Sequence, residues 1–176
     1  MRYFVLKQDE RITDIPYPKD FFENIDVRNV SAERGDSVPF RTLIQLRPSA
    51  FTVFPDVFCT PVLLLTPDAQ NIVRLYDDYI VYRQIIYLDQ VNELVNLYFM
   101  PLLQTIDCLS TRSEYVNAGK GAFSKVVLKA ELIRDESIFQ VKNQQQRVTV
   151  IRLDLAESLL ARGCRGFTLA EAEIEA

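Results

Sequence analysis

The segment FPDVFCTPVLLLTPDAQNIVRLYDDY (residues 54–79) leads from an extended stretch into a helix. Pro55 and Pro61 favour an extended path, because proline disfavours helical geometry in the residue before it. The apolar run at 62–65 predicts a short buried strand. The prolines and leucines of this segment therefore have a structural explanation that needs no active-site loop.

A helix is predicted from Pro67 to about Asp78. Thr66 suits the N-cap position, Pro67 suits the first helical position, and Asp68 places a negative charge in the first turn. Apolar residues recur behind this start at helical spacing and predict one stripe that packs on a sheet. The stripe consists of Ala69, Ile72, Val73 and Tyr76.

Strands dominate the rest of the chain. Two pairs of apolar segments joined by short polar links predict hairpins. The paired segments are 80–88 with 93–100, and 137–142 with 147–153 through the turn NQQQ at 143–146. Further strands are predicted at 2–7, 41–47 and 165–175. Because strands and helices follow in mixed order without a repeated unit, the sequence predicts an α+β fold, mainly antiparallel sheet with a few packed helices, in a single domain spanning 1–176.

Two shorter helical segments complete the prediction. One turn is expected around Phe21 and Phe22, with both rings directed inward. Near the C-terminus, Asp154 and Glu157 have the spacing of a capping box, and Gly163 occupies a C-terminal cap position. The apolar face expected between them consists of Leu155, Leu159 and Leu160.

Composition indicates a globular protein with a mildly acidic surface. The chain has 176 residues, of which 48% are hydrophobic and 25% charged, with a net charge of −4. Phosphate contacts need clustered Lys and Arg, so this balance disfavours nucleic-acid binding. A basic protein partner would be electrostatically compatible with it.

The three cysteines indicate reduced thiols. Cys59, Cys108 and Cys164 are odd in number and widely spaced, and they form neither a disulfide framework nor a C-x-x-C motif. The short apolar run at the N-terminus does not resemble a signal peptide, and no segment approaches the length of a membrane span. We therefore expect a cytoplasmic protein that does not bind membranes.

The chain contains no histidine, which excludes Ser–His–Asp and Cys–His catalysis and every His-ligated metal site. Asp77, Asp78 and Asp107 are candidates for carboxylate chemistry. Adjacent residues at a helix end point in different directions, however, so Asp77 and Asp78 do not form a facing pair. No catalytic, cofactor-binding or metal-ligating residue is predicted. A histidine-free enzyme using carboxylate or Lys chemistry stays an alternative, as does a small-molecule sensor or scaffold domain.

The Gly-Lys-Gly sequence at 119–121 is a candidate for a phosphate-binding loop. A phosphate-binding loop needs an earlier glycine at fixed distance and Ser or Thr directly after the lysine. Gly121 occupies that position. The segment is therefore predicted to be a flexible basic loop.

Two groups of residues are candidates for binding a partner protein. Glu171, Glu173 and Glu175 alternate along the last predicted strand and form an acidic stripe on one side of it. An exposed sheet face, or a charged edge that blocks aggregation, would explain the same pattern. The second group is Asp77, Asp78 and Tyr79, since tyrosine beside charged residues is common at interfaces. Tyr76 in the same cluster is expected to face the core.

The order of elements resembles a bacterial immunity-protein family formerly known only as a domain of unknown function. The resemblance is carried by Pro55-Asp56-Val57, VLLLT before the first long helix, and the IIYLD strand. In the second half it is carried by Ser137-Ile138-Phe139, the VTVIR strand, the helix at 153–160 and Gly166-Phe167. It spans about residues 1–174, and the chain has Thr66 where the family pattern has a serine cap.

The resemblance implies a function without catalysis. Proteins of this family are cytoplasmic antidotes that are encoded beside polymorphic toxins and neutralise them by binding. For this chain it implies a cognate toxin domain as the partner, which the acidic composition would suit if that domain is basic. It implies no catalytic residue and no cofactor, and it does not specify which face binds the toxin or how many copies of the chain assemble.

Overall fold

The computed structural model describes residues 1–116, 122–143 and 146–176. Within these ranges the helices are α1 (Phe21–Asn24), α2 (Pro67–Arg74) and α3 (Leu153–Ala161). The strands are β1 (Tyr3–Gln8), β2 (Arg41–Gln45), β3 (Val57–Phe58), β4 (Leu64–Leu65), β5 (Val81–Asp89), β6 (Leu94–Leu102), β7 (Thr105–Ile106), β8 (Glu114–Tyr115), β9 (Phe123–Lys125), β10 (Val127–Lys129), β11 (Ile138–Val141), β12 (Val148–Arg152) and β13 (Phe167–Glu175). Short 3₁₀ turns lie at Val27–Asn29, Gly35–Ser37 and Ala130–Leu132.

The larger sheet, which we call the terminal sheet, joins both ends of the chain. Its order is β10-β13-β1-β12-β11-β7. β1 runs antiparallel to β12 and to β13, so that Phe4 lies between Ile151 and Glu171. β11 and β12 form an antiparallel pair, while β10 and β7 add to the two edges in parallel.

The second sheet, which we call the hairpin sheet, is built around β5 and β6. Its order is β2-β5-β6-β4-β3. β5 and β6 pair antiparallel along their full length, from Val81 opposite Leu102 to Asp89 opposite Leu94. The buried carboxylate of Asp89 fixes the turn between them, because it accepts hydrogen bonds from the backbone N–H groups of Val91 and Asn92, each at 3.1 Å. β2 adds in parallel to β5 and forms one edge of this sheet.

The predicted α+β class with mainly antiparallel sheets is confirmed. Both predicted hairpins are present as β5–β6 and β11–β12. The turn proposed at 143–146 includes residues 144 and 145, which lie outside the described residues. The parallel pairings of β2, β7 and β10 were not predicted, since they join segments that are distant in sequence.

Buried apolar side chains form three cores. The first lies under α2 and α3 and takes Leu65 from the hairpin sheet, Ile151 from the terminal sheet and Leu155 from α3. The second lies between the hairpin sheet and the segments before it, with Ile85 among its members. The third lies against the terminal sheet and includes Phe139. Because the first core draws on both sheets, the two sheets are packed through a shared interior.

Helix α2 begins as predicted but ends earlier. The hydroxyl of Thr66 accepts a hydrogen bond from the N–H of Ala69 at 3.4 Å, and the helix ends at Arg74 rather than near residue 78. The Leu75 N–H donates to the Ile72 carbonyl at 3.1 Å, which tightens the last turn. The chain then turns away where the Asp77 carboxylate accepts from the backbone N–H of Tyr79 at 3.0 Å.

Helix α3 ends as predicted but does not start with a capping box. Its N-cap is Arg152 without a side-chain cap bond, so Asp154 lies inside the first turn. At the other end, Gly163 has a φ of +76°. Its N–H donates to the Leu160 carbonyl at 2.9 Å while the next N–H, that of Cys164, donates to Leu159 at 3.1 Å, which is the Schellman arrangement.

Two side chains that were predicted to face inward are exposed. Phe21 is buried as expected, but the ring of Phe22 is exposed. On α3, Leu155 and Leu159 are buried whereas Leu160 is exposed. In both cases the adjacent residue points about 100° further around the helix, and only one of the two can face the core.

Candidate interaction surface

The glutamates of β13 are ion-paired within the chain. β13 lies between β10 and β1, so it is not a sheet edge. Each carboxylate has a cation of its own: Arg2 Nε lies 2.7 Å from Glu171, Lys125 Nζ 2.9 Å from Glu173, and an Arg112 nitrogen 3.7 Å from Glu175. The hydrogen bond from Arg2 lowers the pKa of Glu171. The predicted acidic stripe is thus matched by three positive charges of the same protein.

In the second candidate group, the aromatic ring of Tyr79 is almost entirely exposed. Tyr79 is 90% exposed and Leu75, just after α2, is 72% exposed. Asp78 is exposed and Asp77 is half-buried. Tyr76 turns inward as expected, since its hydroxyl donates to the Asp154 carbonyl at 3.1 Å and contacts the Ser158 hydroxyl.

A further apolar surface lies on the side of the hairpin sheet opposite the second core. Because strand side chains alternate, Ile85 and its neighbours enter the second core while Ile86 and its neighbours point to the other side. The register places Ile86 between Leu43 of β2 and Leu97 of β6. We call this surface the hairpin face, formed by Leu43, Tyr82, Ile86, Leu88, Val95, Leu97 and Phe99. At one end of it, Tyr82 also packs against the first core, and its hydroxyl is buried.

Two of the seven side chains of the hairpin face are exposed, and the other five are half-buried. Leu43 is 47% exposed and Val95 is 62% exposed, while Ile86 and Leu97 are half-buried. Among the described residues, these four belong to none of the three cores. Apolar side chains that stay outside the cores and partly exposed in this way make the face a candidate site of protein contact.

One end of the hairpin face adjoins the second candidate group. Tyr82 and Phe99 pack edge to face at 6.3 Å, beside the place where α2 packs on β4 and β6. Burial is the main cause that raises the pKa of the Tyr82 hydroxyl, and the negative charge of Asp77 raises it further. The charge of Asp77 therefore acts at Tyr82, at this end of the apolar surface.

Sequence reasoning did not find the hairpin face. A signal was present, because β5 and β6 carry apolar residues at positions of both parities instead of alternating with polar ones. Such strands are typical of sheets covered on both faces. The same pattern therefore indicates a second apolar face of the sheet in addition to a hairpin.

Within residues 1–116, 122–143 and 146–176, no group of three His, Cys, Asp or Glu residues could hold a metal ion. Asp107 pairs with Lys142 at 3.2 Å. All three cysteines are free thiols, and burial raises the pKa of Cys108 to about 11. The Gly-Lys-Gly sequence at 119–121 lies outside the described residues.

The comparisons with known proteins add no relative. No family model matches this chain, and no curated protein matches it. Among the described residues, no helix combines the length and apolar character needed to cross a membrane.

Proposed function

We propose that the chain is a cytoplasmic immunity protein, acting as a single domain of residues 1–176, that binds and neutralises a cognate toxin domain without catalysis. The observation that carries this proposal is the hairpin face, an apolar sheet surface of which Leu43, Ile86, Val95 and Leu97 lie outside the three cores of the described residues. The resemblance to the immunity-protein family supplies the identity of the partner class. The shared first core supports treating the chain as one domain.

The hairpin face has the composition of an interface centre. Stable complexes bury about 1,600 Å² in total, with an apolar middle and a polar rim. Leu43, Ile86 and Leu97 lie side by side across three strands and would form that middle. Aromatic residues dominate binding energies, and Tyr79 is the most exposed aromatic ring among the described residues.

Charge favours a basic partner. The chain has a net charge of −4, and Asp77 and Asp78 lie beside Tyr79 at one end of the surface. Complementary charge accelerates association and disfavours wrong partners more than it adds affinity. The glutamates of β13 contribute less to this attraction, because Arg2, Lys125 and Arg112 already compensate them.

Co-expression tests the proposal directly. The toxin domain encoded beside this chain is produced in a bacterial host with and without the immunity protein, and growth is recorded together with affinity capture of the complex. The proposal predicts growth arrest by the toxin alone, and rescue accompanied by a stable complex. Rescue without any complex, or a complex without rescue, would refute neutralisation by binding. An acidic protein of similar size and charge serves as the control.

A further inference from the structure

A groove with a volume of about 830 Å³ lies between the β11–β12 hairpin and the segment around Val27 and Val30. Its size falls in the range of small-molecule sites, roughly 300–1,000 Å³. Apolar side chains form part of the wall: Phe22, Val27, Pro61 and Val141. This groove is distinct from the hairpin face, because the two share no residue.

Arg147 links the two walls of the groove. One terminal nitrogen donates to the Val30 carbonyl at 2.8 Å and to Gln140 Oε1 at 2.6 Å, and the other contacts the Val27 carbonyl oxygen. A guanidinium has five N–H donors, so these three contacts leave two. The half-buried side chain lines the groove while it holds the segment before β2 against the terminal sheet.

In each of these three contacts, the acceptor of the Arg147 guanidinium is a neutral oxygen atom. Desolvation lowers the pKa of this guanidinium, as expected when a cation leaves water without an anionic partner. A partly desolvated charge is stabilised most by an anion placed within hydrogen-bond distance. Within the described residues, Arg147 therefore keeps two N–H donors and a positive charge that its three contacts do not use or neutralise, as anion binding requires.

Other charged groups in the groove are mainly positive. Arg28, Arg34 and Lys142 line it together with Arg147, against the single carboxylate of Glu33. Glu33 accepts a hydrogen bond from the backbone N–H of Thr105 at 2.9 Å. Carboxylates outside the lining hold two of the cations: Asp26 lies 2.8 Å from Arg28, and Asp107 lies 3.2 Å from Lys142. The exposed Arg34 and the half-buried Arg147 are the two cations best placed to meet a ligand.

We propose that this groove binds a small organic anion, a phosphate or carboxylate attached to an apolar or aromatic group. The anion would accept hydrogen bonds from the planar fork of Arg147, a geometry suited to both phosphate and carboxylate. Arg34 would contribute a second positive charge at the rim. The apolar part of the ligand would lie against Phe22 and Pro61. The proposal does not depend on toxin binding and extends the protein's function to ligand recognition.

Titration with three matched probes tests this inference. Phenyl phosphate, phenylacetate and the neutral benzyl alcohol are added to the full-length protein, and binding is followed by nuclear magnetic resonance shifts and by calorimetry. We expect both anions, or one of them, to bind in the groove and benzyl alcohol to bind at least tenfold more weakly. Tighter binding of phenyl phosphate identifies a phosphate ligand, and tighter binding of phenylacetate identifies a carboxylate ligand.

Two variants test whether the charge of Arg34 contributes to ligand binding. Arg34 is exposed, so Arg34→Gln should fold normally and weaken binding of the preferred anion about tenfold, the loss of one charge-assisted contact. Arg134→Gln, an exposed arginine outside the groove lining, is the matched control and should not change binding. The inference is overturned if neither anion binds, if benzyl alcohol binds equally well, or if both variants bind the anion like the unmodified protein.

Discussion

Neighbouring isoleucines on β5 provide a direct test of which side of the hairpin sheet is a core. Ile85 is 0% exposed and belongs to the second core. Ile86 is half-buried on the hairpin face. The two residues have the same side chain and lie in the same strand, so Ile85→Ala and Ile86→Ala differ mainly in the surroundings of the deleted atoms.

The expected losses of stability differ several-fold. Truncating a fully buried isoleucine to alanine removes apolar contacts and leaves a cavity, which costs about 2–5 kcal/mol. For Ile86 the side chain is already partly in water and no closed cavity forms, so the loss should be below about 1 kcal/mol. The difference between the two variants should therefore exceed about 1 kcal/mol.

Urea denaturation followed by circular dichroism measures both values. The midpoint shift multiplied by a common m-value gives the change in the free energy of unfolding. Equal m-values would verify that neither substitution alters the unfolded state. A loss for Ile86→Ala as large as that for Ile85→Ala would refute the reasoning, because it would mean that the hairpin face is buried in the isolated protein.

Three further predictions concern stability. Gly166 has a φ of +112°, and an added Cβ would overlap the carbonyl oxygen of Val57, so Gly166→Ala should lower the free energy of unfolding by about 2–3 kcal/mol. Gly163→Ala should cost less, about 1 kcal/mol, because nothing lies within 4 Å and only the strain of its positive φ remains; equal losses for the two variants would contradict the overlap at Gly166. Tyr98→Phe removes a buried hydroxyl that donates at 2.7 Å to a main-chain carbonyl and should cost about 1–3 kcal/mol in the same assay; an unchanged midpoint would contradict this. Hydrogen bonds from Arg152 lower the pKa of Asp154, so its contribution is present above the unfolded-state pKa and is lost as pH falls through the folded-state pKa. Asp154→Asn should therefore flatten the acid side of a stability–pH curve, and an identical curve would count against the ion pair.

Local signals in the sequence were sufficient for most of the fold. Thr66 and Pro67 define the start of α2 through capping chemistry alone, and Gly163 defines the end of α3. The hairpins follow from apolar segments with short links. The edge strands were harder to predict, because the parallel pairing of β2 with β5 depends on contacts between residues that are distant in sequence and has no local pattern.

The candidate surfaces were harder to predict, because they depend on which residues meet across strands. In the sequence, Glu171 looks free to meet a partner. In the structure it lies opposite Phe4 of β1, and Arg2, just before that strand, approaches its carboxylate to 2.7 Å. The hairpin face requires the register that aligns Leu43, Ile86 and Leu97. Tyr79 could be chosen from the sequence, since its exposure follows from the end of α2.

The affinity of two variants for the toxin domain tests the central claim most directly. Leu97→Asp introduces a charge in the middle of the hairpin face, and Glu171→Gln removes one from β13. With circular dichroism verifying that both variants fold, Leu97→Asp is predicted to weaken the complex at least about 30-fold, the effect of losing a hot-spot contact, and Glu171→Gln to change it by less than about threefold. Unchanged affinity for Leu97→Asp, or a large loss for Glu171→Gln, would contradict the assignment of the hairpin face as the binding surface.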